Sequence, residues 1–468
     1  MEELSPQPRR RLRLTRFDRL AWLTLSLLWA ATAVVVARGD QVGIRVVAVS
    51  PADGAEGVST MAPVQVTFSQ PILLTGALRS LVLDPPAGGT AQWRGDTLVF
   101  YPGEPLQPDT LYTATVPAGL QGEQGGTVRR PFRWQFRTGH PRVLFMAPDA
   151  QDRYQIFLLD PTQPDPRPTQ LTAAEAGVWD YAASPDGSRV AFAAVRDDGG
   201  SDLWTVEPDT AAAAAAPQQV LACADAFCSG PAWHPDGRRL VYERRALLNA
   251  DGAQGPPRLW WLDLASGETV PVFDDSQWLG FGASLSADGR WLSHVAPDKQ
   301  AIYLYNLEDG RSLEIPTQMN EPGVWSPQSP LLLLVDMVAG DRGYASHILR
   351  VNAESGQVVD LSDPATLGDA SPAWSPDGRE IAFTRRTAQN PIGGQVRTMS
   401  AAGGEGRVLY ESTDYHHGGL SWSPDGRSLL MQRTVLRQVS SPEVWQMDRD
   451  GGNLRQLSPA GAWPRWLP

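Results

Sequence analysis

Hydrophobic and polar residues alternate along most of the chain in short runs, and turns rich in glycine and proline separate these runs. Residues 371–383 show the pattern best: a Ser-Pro-Asp-Gly turn precedes Ile381 and Phe383, which fall on one face of a strand. In such a turn Pro presets the second position, Asp tolerates the third and Gly closes the fourth. The pattern therefore predicts β-hairpins and an all-β fold.

The hairpin recurs from about residue 180 to the end of the sequence. We align the copies on one position, which is Trp in five of them. The aligned positions are Ala183, Trp233, Leu285, Trp325, Trp374, Trp422 and Trp466. They lie 40 to 52 residues apart, and a period of about this length with roughly four strands per copy is typical of a β-propeller. We assign residues 141–468 to this propeller.

Seven blades are favoured by this alignment. Six remain possible if the copies at Leu285 and Trp325, which have lost part of the turn motif, are not full blades. The first copy begins near Arg142 and lacks its inner strand, and residues 462–467 supply one. We therefore expect the two ends of the propeller to pair in one blade, which closes the propeller without an open edge.

A separate block, residues 42–139, contains no copy of the repeat. Its alternating strands between Pro and Gly turns, such as those in residues 64–72 and 132–138, predict an immunoglobulin-like β-sandwich. The opening motif Ser-Pro-Ala-Asp-Gly-Ala, together with the ending Phe-Arg-Trp-Gln-Phe-Arg-Thr, resembles the bacterial Ig-like domains of surface-layer and cell-envelope proteins. The resemblance implies a structural or adhesive module without catalysis.

The repeat unit Pro-Ala-Trp-Ser-Pro-Asp-Gly-Arg of residues 372–379 resembles the propeller repeat of the TolB family, whose members are periplasmic components of the Tol system. It also resembles the WD40-like propellers of prolyl-oligopeptidase-type peptidases. TolB pairs an α/β domain with a six-bladed propeller, whereas an Ig-like domain precedes the propeller here. The peptidases need a Gly-x-Ser-x-Gly elbow, which this sequence lacks.

The N-terminus has the pattern of a membrane segment. Residues 20–37 are uncharged and would span roughly 27 Å as a helix, which is near the thickness of a hydrocarbon core. The tail of residues 1–19 contains six Arg, so the positive-inside rule places it in the cytoplasm. We expect residues 20–38 to anchor an extracytoplasmic, periplasmic body in the cytoplasmic membrane. The alternative is a secreted protein, cleaved near Ala37.

Charge and cysteine usage narrow the possible partners and the redox state of the thiols. The net charge is −12, and the tail of residues 1–19 contributes +3, so the rest of the chain carries −15. Such an acidic body argues against nucleic acid as a partner, because that binding neutralises phosphates. Cys223 and Cys228 are the only cysteines, and in an exported protein their proximity favours a disulfide over two free thiols.

Candidate functional residues lie in the loops that lead into the inner strands, which open on one face of a propeller around its central channel. A concave rim of aromatic and polar groups is the default binding-site hypothesis, and its alternative is that the aromatic residues pack the channel. The predicted partner-binding residues are Trp179, Asp180, Trp278, Glu321, Asp369, Asp414, Tyr415, His416, His417 and Trp463.

We expect no metal and no cofactor at this rim. Adjacent histidines on a strand point to opposite faces, so only one of His416 and His417 could join Asp414. The expected function is non-enzymatic binding of a protein or cell-envelope partner. One alternative is a propeller enzyme acting on glycans with Asp369, Asp414 and His416, and another is the ectodomain of an envelope sensor.

Overall fold

The computed structural model describes residues 16–39, 43–73, 80–123, 125–208, 216–249, 252–275, 277–340, 343–363, 366–436 and 440–468. One helix, α1 (Arg16–Gly39), precedes an all-β body, as the sequence predicts. No helix within the described residues is both long enough and apolar enough to cross a membrane. Residues 1–15 of the predicted basic tail lie outside the described residues.

The first β domain is a sandwich of two four-stranded sheets with strand orders β1-β3-β6-β5 and β2-β8-β7-β4. Its strands are β1 (Val46–Ser50), β2 (Ala55–Val58), β3 (Val64–Phe68), β4 (Val82–Asp84), β5 (Gly89–Arg94), β6 (Thr97–Pro102), β7 (Leu111–Val116) and β8 (Phe132–Thr138). Strand β3 shows the alternation that the sequence predicts. Val64, Val66 and Phe68 are buried, and the residues between them are half-buried. Trp134 and Phe136 join these side chains in the core between the sheets.

Within the described residues the strands of the repeat region form five four-stranded sheets and one eight-stranded sheet. The eight-stranded sheet consists of two four-stranded units, so we number seven four-stranded units as sheets one to seven. Sheet one contains β36 (Ala462–Leu467), β9 (Arg142–Pro148), β10 (Tyr154–Leu159) and β11 (Thr169–Gln170). Sheets two and three contain β12 (Val178–Ala183), β13 (Val190–Val195), β14 (Ser201–Val206), β15 (Gln218–Leu221), β16 (Ala226–Trp233), β17 (Arg239–Ala246), β18 (Arg258–Asp263) and β19 (Thr269–Pro271). A single parallel bridge between Ser201 and Phe227 joins these two sheets.

The remaining four sheets repeat the same order. Sheets four and five contain β20 (Phe281–Leu285), β21 (Trp291–Ala296), β22 (Ala301–Asn306), β23 (Ser312–Pro316), β24 (Val324–Trp325), β25 (Leu331–Gly340), β26 (Gly343–Asn352) and β27 (Val358–Asp360). Sheets six and seven contain β28 (Gly368–Trp374), β29 (Glu380–Arg386), β30 (Gln395–Ser400), β31 (Arg407–Glu411), β32 (Tyr415–Trp422), β33 (Ser428–Val435), β34 (Glu443–Asp448) and β35 (Arg455–Ser458).

The Ser-Pro-Asp-Gly motif forms the predicted turn between the first two strands of a sheet. In sheet six the Gly378 amide donates to the Ser375 carbonyl at 2.9 Å, and the Ser375 hydroxyl donates to Asp377 at 2.6 Å. Gly378 has a φ of +67°, where a residue without Cβ meets least strain. The five turns that share this Gly amide to carbonyl hydrogen bond lie on one face of the domain, which we name the turn face.

The Trp of the repeat links neighbouring sheets. The Trp374 indole N–H donates to the Val324 carbonyl of the preceding sheet at 3.1 Å, and Trp422 does the same to Ala373 at 3.2 Å. The rings also fill the apolar layer between sheets. An unpaired indole N–H in such a layer would be costly, so each Trp fixes one sheet against the next.

The two ends of the repeat region pair as predicted. Strand β36 runs antiparallel to β9, and Leu467 lies opposite Arg142. Leu467 packs with Phe192 of sheet two, while Phe145 of sheet one packs with Leu430 of sheet seven. Sheet one therefore contacts both the second and the last sheet, which is the arrangement expected of a β-propeller.

Candidate functional site

A β-bulge interrupts the inner strand of six of the seven sheets. The register shifts in β12, β16, β20, β28, β32 and β36. At four of these bulges a small residue takes a positive φ: Gly230, Gly282, Ser371 and Gly419. Bulges of this kind aim side chains at the end of a strand. The fifth such position is Trp463, with a φ of +51°.

Trp463 is held in this conformation by both neighbouring sheets. Its carbonyl accepts the Tyr181 hydroxyl of sheet two at 2.6 Å, and its amide donates to the Gln432 side chain of sheet seven at 3.0 Å. A bulky residue at positive φ costs about 1–2 kcal/mol, yet its side chain is 54% exposed. The backbone therefore holds a large apolar side chain in solvent, and the Tyr154 ring lies 6.4 Å from the Trp463 ring.

Trp179 is the second exposed aromatic residue of the rim. Its side chain is 60% exposed, and one edge rests on the buried Phe227 ring at 5.4 Å. Phe227 lies between Cys223 and Cys228, which form the predicted disulfide. The disulfide thus braces the loop that supports Trp179. We name the three exposed side chains Tyr154, Trp179 and Trp463 the rim patch.

Asp180 follows Trp179 and has an unusual environment. One carboxylate oxygen accepts the Gly230 amide at 2.6 Å, while the other is buried without a hydrogen-bond partner among the described residues. Burial raises the pKa of Asp180 to about 7, and the charge of Glu243 adds to the effect, although the Gly230 amide opposes it. The carboxyl group is therefore close to half-protonated at neutral pH.

Two of the predicted aromatic residues belong to packed clusters. Trp278 stacks on Phe273 with ring centroids 4.8 Å apart, and the Lys299 ammonium lies 5.1 Å from its ring. Tyr415 lies against the Arg433 guanidinium at 3.8 Å. For these two residues the packing alternative describes the structure better than an open binding surface.

The predicted acidic residues do not form one site. Asp369 is fully buried and accepts two hydrogen bonds of 2.7 Å from Arg385, so it is part of a structural ion pair. Glu321 and Asp414 are exposed. The structure thus gives no support to a catalytic pair built on Asp369, because a fully paired carboxylate has no free oxygen for a substrate.

The two histidines point in different directions, as adjacent strand residues do. His416 is exposed, whereas His417 is buried against the Tyr410 ring at 5.2 Å. Burial lowers the pKa of His417 to about 4. Within the described residues no group of three His, Cys, Asp or Glu side chains is placed to hold a metal.

Sequence reasoning missed three features of the rim. Tyr154 opens a strand at the outside of a repeat, and no motif marks it. Arg433 lies between Tyr415 and the Trp445 ring, 3.5 Å away, and its guanidinium donates to Glu443 at 3.0 Å. The bulge could have been recognised from the sequence. A Gly or Ser stands three residues before the repeat Trp, as in Ser-Pro-Ala-Trp.

The first β domain matches a known family model. Residues 40–138 match the family model of the bacterial Ig-like domain, which confirms the predicted resemblance of that block. No curated protein matches the sequence of the chain. Solved structures that resemble the chain include TolB and other β-propeller proteins.

TolB from Acinetobacter baumannii is 14% identical with a TM-score of 0.41, and the match covers 83% of each chain. The β-propeller domain of the Trilobed protease from Pyrococcus furiosus is 13% identical with a TM-score of 0.45, covering 75% of this chain and 93% of that one. A puromycin-hydrolyzing peptidase from Mycobacterium tuberculosis is 15% identical with a TM-score of 0.51, covering 68% of this chain and 53% of the peptidase. At such identities the likeness concerns the fold alone.

Proposed function

We propose that the seven sheets form a seven-bladed β-propeller that binds a protein or cell-envelope partner through the rim patch, without catalysis. The observation that carries the proposal is Trp463. A strained backbone and a large exposed apolar side chain both cost free energy, and strain of this kind clusters at functional sites. Exposed Trp and Tyr side chains are also the residues that anchor protein interfaces most often.

The arrangement around the patch suits binding more than turnover. Trp463 and Trp179 stand on the inner strands of neighbouring sheets, and hydrogen bonds and the disulfide fix their supports. Rigid aromatic anchors lose little conformational entropy when they bind. The alternative of an enzyme acting on glycans has weaker support, because Asp369 forms an ion pair with Arg385.

Export of the body is part of the proposal. A disulfide between Cys223 and Cys228 is typical of an oxidising compartment, and the basic tail followed by an uncharged run favours a tethered protein with its body outside the cytoplasm. The mass of the mature protein distinguishes a retained anchor from cleavage near Ala37. Protease added to intact cells should digest the body only if it is exported and reachable.

The binding proposal is tested with the exported body as bait in an extract of the native envelope. We expect Trp179→Ala combined with Trp463→Gly to lose capture of a species that the unaltered body retains, at equal thermal stability. The matched control is Tyr344→Ala, which removes an exposed aromatic side chain on another sheet and should leave capture unchanged. Equal capture by all three proteins would refute the site.

A further inference from the structure

The turn face of the propeller is not open to solvent in the way the rim is. A cavity of about 1310 Å³ lies there, and its walls include residues from all seven repeat sheets. Its other wall is the outer surface of β3, β5 and β6 of the Ig-like domain, including Gln65, Gln92 and Val99. One sheet of the Ig-like domain therefore lies across the centre of the turn face.

Chain connectivity requires the Ig-like domain to be at this end. Strand β8 ends at Thr138 and β9 begins at Arg142, so the connection spans at most about 14 Å. Arg142 lies opposite Leu467, and the next residue, Pro468, lines the cavity. The chain thus enters the propeller on the turn face, and the short connection keeps the Ig-like domain there.

The burial of Val99 agrees with a covered sheet. Val99 alternates along β6 with Leu98 and Phe100, which point into the core of the Ig-like domain. It therefore faces the cavity, yet only 2% of its surface is exposed. Its cross-strand neighbours Gln65 and Gln92 line the same cavity.

The turn of sheet five, which departs from the repeat motif, provides a hydrogen bond between the domains. Residues 326–329 read Ser-Pro-Gln-Ser in place of Ser-Pro-Asp-Gly. The Gln328 side-chain amide donates to the Gly103 carbonyl of the Ig-like domain at 3.4 Å and to the Pro376 carbonyl of sheet six at 3.1 Å. An Asp at this position has no N–H to donate, so the departure from the motif supplies the donor that this contact needs.

We infer that the Ig-like domain is a cap that covers the turn face of the propeller, and that Gln328 holds it in place. A ligand then reaches the central channel from the rim alone. The inference goes beyond the proposed function and does not depend on it, because the cap would exist whether or not the rim patch binds a partner.

The test uses single introduced cysteines as labelling probes. Both native cysteines are in the disulfide, so Val99→Cys provides a unique free thiol on the covered sheet. Val47→Cys is the matched control on an exposed position of the same domain, where the native side chain is 66% exposed. We expect a thiol reagent to modify position 99 at least about tenfold more slowly than position 47 in the full chain.

The role of Gln328 in holding the cap is tested by restoring the repeat motif with Gln328→Asp and Ser329→Gly. Loss of one interdomain hydrogen bond should speed labelling at position 99 by up to about tenfold and leave position 47 unchanged. Small-angle scattering of the same variant, without any added cysteine, should show a larger radius of gyration. Equal labelling of positions 99 and 47 in the unaltered chain would overturn the cap, and unchanged labelling with unchanged scattering would overturn the role of Gln328.

Discussion

Replacing Asp180 by Asn should stabilise the repeat region, and the gain should grow with pH. The side-chain carbonyl of Asn can still accept the Gly230 amide, so the substitution removes the titrating group and keeps the shape. In the folded protein burial raises the pKa of Asp180 from 3.8 to about 7. The unfolded chain therefore loses its proton at a lower pH than the folded chain.

The sign and size of the effect follow from this difference. Below pH 4 Asp180 is protonated in both the folded and the unfolded state, so it changes the free energy of unfolding little. As pH rises from 4 to 7, the unfolded state ionises while the folded state does not, so the free energy of unfolding falls. One pKa unit corresponds to about 1.4 kcal/mol, which gives a loss of about 4 kcal/mol by pH 8. The Asn variant avoids this loss.

The assay is urea unfolding followed by tryptophan fluorescence between pH 4 and pH 8. We expect the stability difference between Asp180→Asn and the unaltered protein to rise steadily to about 4 kcal/mol. Asp414→Asn is the matched control, because it changes an exposed carboxylate and should shift stability by less than about 0.5 kcal/mol at every pH. A difference that is flat, or that falls with pH, would refute the buried environment assigned to Asp180.

Four further changes have defined outcomes. Trp463→Gly should change thermal stability by less than about 1 kcal/mol in calorimetry, because relief of the positive φ offsets the greater freedom of Gly when unfolded; a large loss would mean that the ring is structural. Replacing Cys223 and Cys228 together by Ser should cost about 2 kcal/mol in denaturant unfolding, from the entropy of so short a loop, and an unchanged midpoint would contradict that estimate. The pKa of His417 is about 4 in the folded protein and 6.5 when free. The free energy of unfolding should therefore fall by about 3 kcal/mol as the pH drops from 6.5 to 4, and His417→Leu should flatten acid unfolding in that range. Trp374→Phe keeps a ring but leaves a carbonyl unpaired, and it should cost about 1–3 kcal/mol by chemical denaturation, whereas a neutral result would show that the interface depends on apolar packing alone.

The scaffold could be predicted from sequence because its determinants are local and repeated. A Pro, an Asp and a Gly in fixed order specify the turn, and a Trp at one position marks the period of the repeat. The pairing of the two ends of the repeat region followed from counting strands in the first and last copies. Each of these inferences needed only neighbouring residues or the period of the repeat.

The rim could be predicted only as a set of loops. The pairing of Asp369 with Arg385 joins two strands, and no motif distinguishes a carboxylate that is paired from one that is free. The exposure of Trp463 depends on a positive φ that Tyr181 and Gln432 enforce from two other sheets. Likewise, the meaning of Gln328 depends on a domain more than 200 residues earlier in the chain, which periodicity cannot reveal.

Binding through the rim patch is tested most directly by photo-crosslinking in the native envelope. A photoreactive phenylalanine derivative is placed at position 179 in one protein and at Val358, an exposed position on an outer strand, in another. We expect a discrete cross-linked adduct from position 179 that disappears when Trp463→Gly is added, and no such adduct from position 358. The same adduct from both positions, or one that persists with Trp463→Gly, would contradict the assignment of the rim patch as the binding site.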